Sequence, residues 1–133
     1  GSTLNEWLRQ SGNSAPIAFV KTLHPDKFYL ALANASCAVG NSSSFLREGA
    51  YLGTPAVLVG SRQTNRERGR NVLEVKPQLE AIKKAIRAQL NHGRYPKDLR
   101  FGDGTAAEKI VEVLATVRPP LQKKFRDIEF LSR

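Results

Sequence analysis

Cysteine occurs once in the 133 residues, at Cys37, so an internal disulfide is excluded. It lies in the apolar stretch Ala35-Ser36-Cys37-Ala38-Val39, where a thiol serves as a small buried hydrophobe. No apolar run approaches the ~18 residues that a membrane helix needs, and the opening residues carry no secretory hydrophobic segment. A reducing, cytoplasmic setting is therefore expected. The chain has no internal repeat, no low-complexity tract and no zinc-ligand spacing. Hydrophobic residues at 41% and charged residues at 25% exclude a disordered composition. The length allows one domain or part of one.

Negative charge is also scarce. The formal net charge is +9, and it is uneven. Residues 1–60 hold four basic and three acidic groups, whereas residues 61–133 hold seventeen and nine. Such an excess points to an anionic partner. Nucleic acid is disfavoured, because aromatic and basic residues are not interleaved and most basic residues alternate with acids on helical patterns.

Helical and strand patterns alternate at short intervals, which predicts an α/β fold with parallel strands. A first helix is expected from Ser2 to Gly12 through Leu4, Trp7 and Leu8. Short strands are expected at 17–20, 37–39, 55–59 and 72–75. Pro25 opens a helix with Phe28, Tyr29 and Leu32 facing inward. Another runs through Phe45, Leu46 and Tyr51 to Gly53. Leu79, Ile82, Ile86 and Leu90 mark a fourth at spacings of three and four. Thr105 and Glu108 form a capping-box pattern before Ile110, Val111 and Leu114. A basic tail follows from 119 to 133.

The junction at 39–48 carries the most chemical information. A strand ends in Gly40, three serines follow, and a helix begins. Ligands of parallel sheets sit beyond the carboxyl ends of strands. Serine hydroxyls and unpaired helix amides there suit a phosphate oxygen, although serines before a helix are also ordinary caps. Glu48 can accept hydrogen bonds from two adjacent ribose hydroxyls, or can simply favour a helix start. Arg62, on the loop after the next strand, suits a diphosphate or a nucleobase, or is a solvated loop residue. Their convergence on one sheet edge favours a nucleotide.

Those residues belong to a longer ordered string. Gly40-Asn41-Ser42-Ser43-Ser44-Phe45-Leu46-Arg47-Glu48-Gly49 is followed by Leu52-Gly53-Thr54-Pro55 and Gly60-Ser61-Arg62-Gln63. Arg66-Glu67, Asn71-Val72, Phe101-Gly102-Asp103-Gly104 and Pro120-Leu121-Gln122-Lys123-Lys124-Phe125 come after. The string resembles the UDP-N-acetylglucosamine 2-epimerase family through nearly the whole chain. Ser42-Ser43-Ser44 and Arg47-Glu48, in place of Ser-Gly-Gly and Gln-Glu-Glu, are similar to its hydrolysing branch. Phe45 departs from that pattern, where glycine is common.

The resemblance implies the Rossmann-like C-terminal half of a two-domain GT-B enzyme. Its reaction would turn UDP-GlcNAc and water into N-acetylmannosamine and UDP, feeding sialic acid synthesis. UDP would leave by anti elimination, and water would add with inversion at C2. Carried over, Ser42 and Ser43 would hold the phosphates, Glu48 the ribose, and Arg62 the pocket edge. The backbone of Leu23 would meet the uracil, with Phe28 as a wall. Asn41 and Gln63 stand between pocket lining and loop structure. His24 and His92 are read as loop and turn residues. No cofactor, metal or catalytic residue is expected in this chain, because the family's acid–base groups belong mainly to an N-terminal domain.

By the same analogy the chain starts after the first two strands of its domain. Strands 17–20 and 37–39 would flank the missing pair in a 3-2-1-4-5-6 sheet, leaving an open core face. The chain is expected to rearrange, or to associate as a homo-oligomer or with its N-terminal domain, and to be inactive alone. The competing readings are the C-terminal half of a GT-B glycosyltransferase and a non-catalytic nucleotide-binding module.

Overall fold

The computed structural model describes residues 17–118. The helix expected at 2–12 and the basic tail at 119–133 lie outside that range. Helix α1 spans Pro25–Asn34 and leads to strand β1, Ala38–Gly40. A 3-10 turn at Ser43–Phe45 and helix α2 at Glu48–Leu52 follow. Strands β2, Ala56–Val59, and β3, Val72–Val75, complete the sheet. Helices α3, Leu79–His92, and α4, Ala106–Thr116, come last. The sheet is parallel, in the order β1-β2-β3, with Ala38, Ala56 and Val72 in register. This is a Rossmann-like α/β arrangement.

The strands form where the sequence offers unbroken apolar runs, and those runs are buried. Ala56, Val57 and Leu58 have essentially no exposed surface. Strand alternation sends Ala38, Ala56, Leu58 and Val72 to one face, where Leu32 of α1 and Leu46 close over them. Val57 points to the opposite face, and α3 contacts both β2 and β3.

Several expectations need correction. Residues 17–20 form no strand, and Ile17, Phe19 and Val20 are 54%, 63% and 54% exposed. A strand needs a ladder partner, and among the described residues β1 pairs with β2 alone. The helix expected from Phe45 to Gly53 is instead a 3-10 turn and a five-residue α-helix, broken at Leu46 and Arg47. Tyr29 is half-exposed rather than inward.

The buried face of α3 runs through Ala85 and Gln89, while Leu79 and Leu90 are exposed. Gln89 is drawn inward because its Nε2 donates to the carbonyls of Ala56, at 2.7 Å, and Asn71, at 2.9 Å. Its own oxygen accepts from Tyr95 Oη at 2.8 Å. The capping box is absent too. Thr105 makes no side-chain cap, and its N–H and hydroxyl both donate to Asp103 Oδ1, at 3.0 and 2.5 Å. Helix α4 buries none of its residues among those described, so its apolar stripe at Ile110, Val113 and Leu114 faces outward.

Candidate nucleotide-binding site

The loops after β1 and β2 leave the carboxyl edge of the sheet side by side. They are joined by Asn41, Arg62 and Gln63. Gln63 is buried, and its Nε2 donates to the Asn41 carbonyl at 2.9 Å. Arg62 Nη1 stands 3.5 Å from Asn41 Oδ1. The structure thus gives Gln63 a clamping role and leaves the Arg62 guanidinium exposed, at the limit of a hydrogen bond.

Ser42 caps the 3-10 turn, its hydroxyl accepting from Ser44 N–H at 3.3 Å. That bond uses a lone pair and leaves the hydroxyl proton free to donate. The N–H groups of Leu46 and Arg47 both reach the Ser43 carbonyl, at 3.1 and 3.2 Å. With only one 3-10 turn and a five-residue helix, aligned peptide dipoles contribute little here. Hydroxyls and guanidinium groups stand at this edge as donors for an anion. Phe45 packs on the core cluster beneath the turn, with its ring 3.4 Å from where a Cβ on Gly40 would lie.

Ser43 lines a cavity of about 450 Å³ together with Leu46, Arg47, Arg66, Glu67 and Phe101. Glu48 lines a second cavity of about 390 Å³ with Tyr29, Tyr51, Asp98 and Phe101. Arg47 and Phe101 border both, so the two spaces adjoin. Glu48 is half-buried, and its Oε2 is cut off from solvent with no hydrogen-bond partner among the described residues. Gln63 Oε1 and Asn71 Oδ1 are in the same condition.

Leu23 and Phe28 line neither cavity. Leu23 lies exposed in the extended segment before α1, and Phe28 packs on the core cluster. His24 precedes α1, exposed, with Nδ1 3.4 Å from Asp26. His92 stacks on Tyr95 with ring centroids 3.8 Å apart. Burial pushes the Cys37 thiol up, which disfavours the reactive thiolate. No cluster of histidine, cysteine or carboxylate groups suited to a metal exists among the described residues.

Arg47, Arg66, Phe101 and Tyr29 were not singled out as site residues by sequence reasoning. Each comes from a different segment, and no local spacing announces their meeting. Arg47, Arg66 and Phe101 carried a weak signal, as members of the ordered string of motifs.

Ion pairs surround this edge. Arg68 binds Glu74, and Arg100 Nε meets Asp98 Oδ2 at 2.8 Å. The Arg68 and Thr64 hydrogen bonds hold the Glu74 carboxyl low, and the Arg100 backbone and guanidinium N–H groups do the same for Asp98. Both folded pKa values lie below the unfolded ones. Their stabilisation is therefore complete above the ordinary carboxylate range, about pH 4, and fades as pH falls through the folded values. Carboxyl NMR titration should show both midpoints depressed. The stability lost between about pH 6 and pH 3 should shrink in Asp98→Asn and in Glu74→Gln. An unchanged loss would contradict this origin of acid sensitivity.

A parallel α/β sheet with hydroxyls, guanidinium groups and a carboxylate at its carboxyl edge defines a Rossmann-like class of domain. The family whose model matches residues 2–115 is described as UDP-N-acetylglucosamine 2-epimerase. The chain belongs to that family. It is 33% identical over 117 residues to UDP-N,N'-diacetylbacillosamine 2-epimerase (hydrolyzing) of Legionella pneumophila, an alignment covering 88% of this chain and 31% of the relative. It is 32% identical over 133 residues to UDP-N-acetylglucosamine 2-epimerase of Neisseria meningitidis, covering 96% of this chain and 35% of the relative. The chain thus spans about a third of the length of these curated relatives.

Proposed function

We propose that this chain holds the UDP part of a 2-acetamido sugar nucleotide in an epimerase of the hydrolysing type. The observation that carries the reading is Glu48, a half-buried acidic residue lining a cavity that adjoins the one lined by Ser43 and Arg66. A ribose offers two vicinal hydroxyl donors to that carboxylate. The hydroxyls of Ser42 and Ser43 donate to the diphosphate, whose charge Arg66 and Arg62 neutralise. The Leu23 backbone meets the uracil edge, and Asn41 and Gln63 hold the two loops together.

Held in this way, the diphosphate is a stabilised leaving group. Proton abstraction at C2 needs a base that we assign to a facing domain of a GT-B enzyme, with this chain supplying no catalytic acid or base. The substrate is UDP-GlcNAc, and the products are N-acetylmannosamine and UDP. The hydrolysing relative from Legionella supports that branch. A homo-oligomer in a reducing, cytoplasmic compartment completes the reading, with the half-buried thiol of Cys37 protonated there.

Calorimetric titration of the full-length protein with UDP tests the site. Hydrogen bonds to a charged group contribute about 1.5–3 kcal/mol, so Glu48→Ala should weaken UDP binding roughly ten- to a hundredfold. A folded wild-type protein that ignores UDP, or a Glu48→Ala variant with full affinity, would refute the assignment. Release of free N-acetylmannosamine from UDP-GlcNAc, rather than its UDP conjugate, identifies the hydrolysing branch.

A further inference from the structure

Asn71 touches neither cavity wall named above, yet it bonds to both ends of the segment that carries Glu48. Its side chain is buried beside the start of β3. Nδ2 donates to the Phe45 carbonyl at 3.1 Å and to the Thr54 carbonyl at 2.9 Å. Phe45 closes the turn that carries Ser43, and Thr54 leads into β2. Both protons of one rigid amide are thereby used, and residues 45–54 are pinned at each end.

The amide itself stands on a fixed base. The Asn71 carbonyl accepts from Ala56 N–H at 2.8 Å and from Gln89 Nε2 at 2.9 Å. Helix α2 crosses directly above it. A Cβ on Gly49 would lie 3.3 Å from Asn71 Nδ2 and 3.5 Å from the Ser44 carbonyl. Glycine at 49 lets the helix settle onto the amide with no side chain between them.

We infer that Asn71 is the positioning residue of the nucleotide site, setting the separation between the Ser43 turn and the Glu48 carboxylate. A diphosphate and its ribose have a fixed spacing, so two holders at the two ends must be held to match it. The inference rests on the nucleotide reading above. Asn71 contacts no ligand and acts only through the backbone it bonds.

The test compares Asn71→Ala with Gln89→Ala in the full-length protein. Both remove a buried amide that bridges two backbone carbonyls, but Gln89 bonds nothing in the 42–48 loop. Amide hydrogen exchange, measured without ligand, should speed at Leu46 and Arg47 in Asn71→Ala by at least about tenfold beyond the change at Val57. In Gln89→Ala the two regions should change together. UDP affinity, measured where each variant is folded, should fall about tenfold in Asn71→Ala and stay within about threefold in Gln89→Ala.

Gly49→Ala keeps the amide and crowds it, and it should weaken UDP binding several-fold when measured well below its unfolding transition. It decides the matter if Asn71→Ala does not fold. Equal exchange changes in the two amide variants, or wild-type affinity in Gly49→Ala, would overturn the inference. A wild-type protein that fails to bind UDP would sink the nucleotide reading, while the ligand-free exchange arm still judges whether Asn71 anchors the loop.

Discussion

Gly53→Ala should destabilise the fold by about 4 kcal/mol or more, a large share of the 5–15 kcal/mol that holds a typical domain together. Gly53 ends α2 in the left-handed region, at φ +66°. Alanine there costs roughly 1–2 kcal/mol in backbone strain alone. The larger cost is steric. An added Cβ would fall on the carbonyl oxygen of Tyr95, far inside contact distance, and backbone cannot rotate away as a flexible side chain can.

Relief would push the 94–98 segment off α2. That segment is held by Tyr95 N–H to the Gly53 carbonyl at 3.0 Å and Asp98 N–H to the Ala50 carbonyl at 3.0 Å. Arg94 Nη1 adds a bond to the Leu52 carbonyl at 3.0 Å. Phe101, which borders both cavities, follows directly. The variant should therefore lose nucleotide affinity along with stability. Gly60→Ala is the control, because Gly60 also has positive φ, +84°, but an added Cβ there meets nothing within 4 Å. Urea denaturation should show Gly60→Ala losing only the strain cost. Equal losses in the two variants would mean that the clash with Tyr95 is relieved cheaply.

The three strands were legible because their apolar runs are bounded by residues that stop a strand. Ala56 to Val59 sits between Pro55 and Gly60, and burial of Val57 and Leu58 matches a strand covered on both faces. The run at 17–20 is written in the same alphabet. Nothing local reveals whether a ladder partner stands beside it, so the pattern alone could not exclude a strand. The break at Leu46 and Arg47 was hidden for a similar reason. Phe45, Leu46 and Tyr51 suit one continuous helix, but Asn71 holds the Phe45 carbonyl from a segment 26 residues away.

Gln89 illustrates the limit of periodicity. A glutamine on a helix reads as solvent-facing, and only the carbonyls of Ala56 and Asn71 explain why it turns inward. Ser42, Ser43, Glu48 and Arg62 could be singled out because strand end, loop and helix start are contiguous in sequence. Arg66 and Phe101 join them only through tertiary packing. Local motifs thus named the groups that we propose hold a nucleotide, and distant contacts bring the other cavity-lining residues to them.

Leu46→Ala should cost about 2–5 kcal/mol, the usual range for truncating a fully buried leucine. Leu46 is 2% exposed and packs with Leu32, Ala38, Ala56, Leu58 and Val72, the cluster that joins α1 to the sheet. Its side chain lies under the break between the Ser43 turn and α2, where the backbone has least regular support of its own. A void there removes dispersion contacts from every neighbour on that sheet face. The turn above it, however, keeps its bonds. Leu46 N–H still reaches the Ser43 carbonyl, and Asn71 still holds Phe45.

Stability and affinity should therefore separate in this variant. Thermal or urea unfolding should show the full loss. UDP affinity, measured well below the transition, should change by no more than about threefold. Leu46→Met, which conserves volume, should cost less than about 1.5 kcal/mol. The expected pattern is the reverse of Asn71→Ala, in which the loop is released while the apolar core remains filled. If Leu46→Ala instead lost affinity in proportion to stability, apolar packing rather than the Asn71 amide would be what holds Ser43 and Glu48 at their working distance.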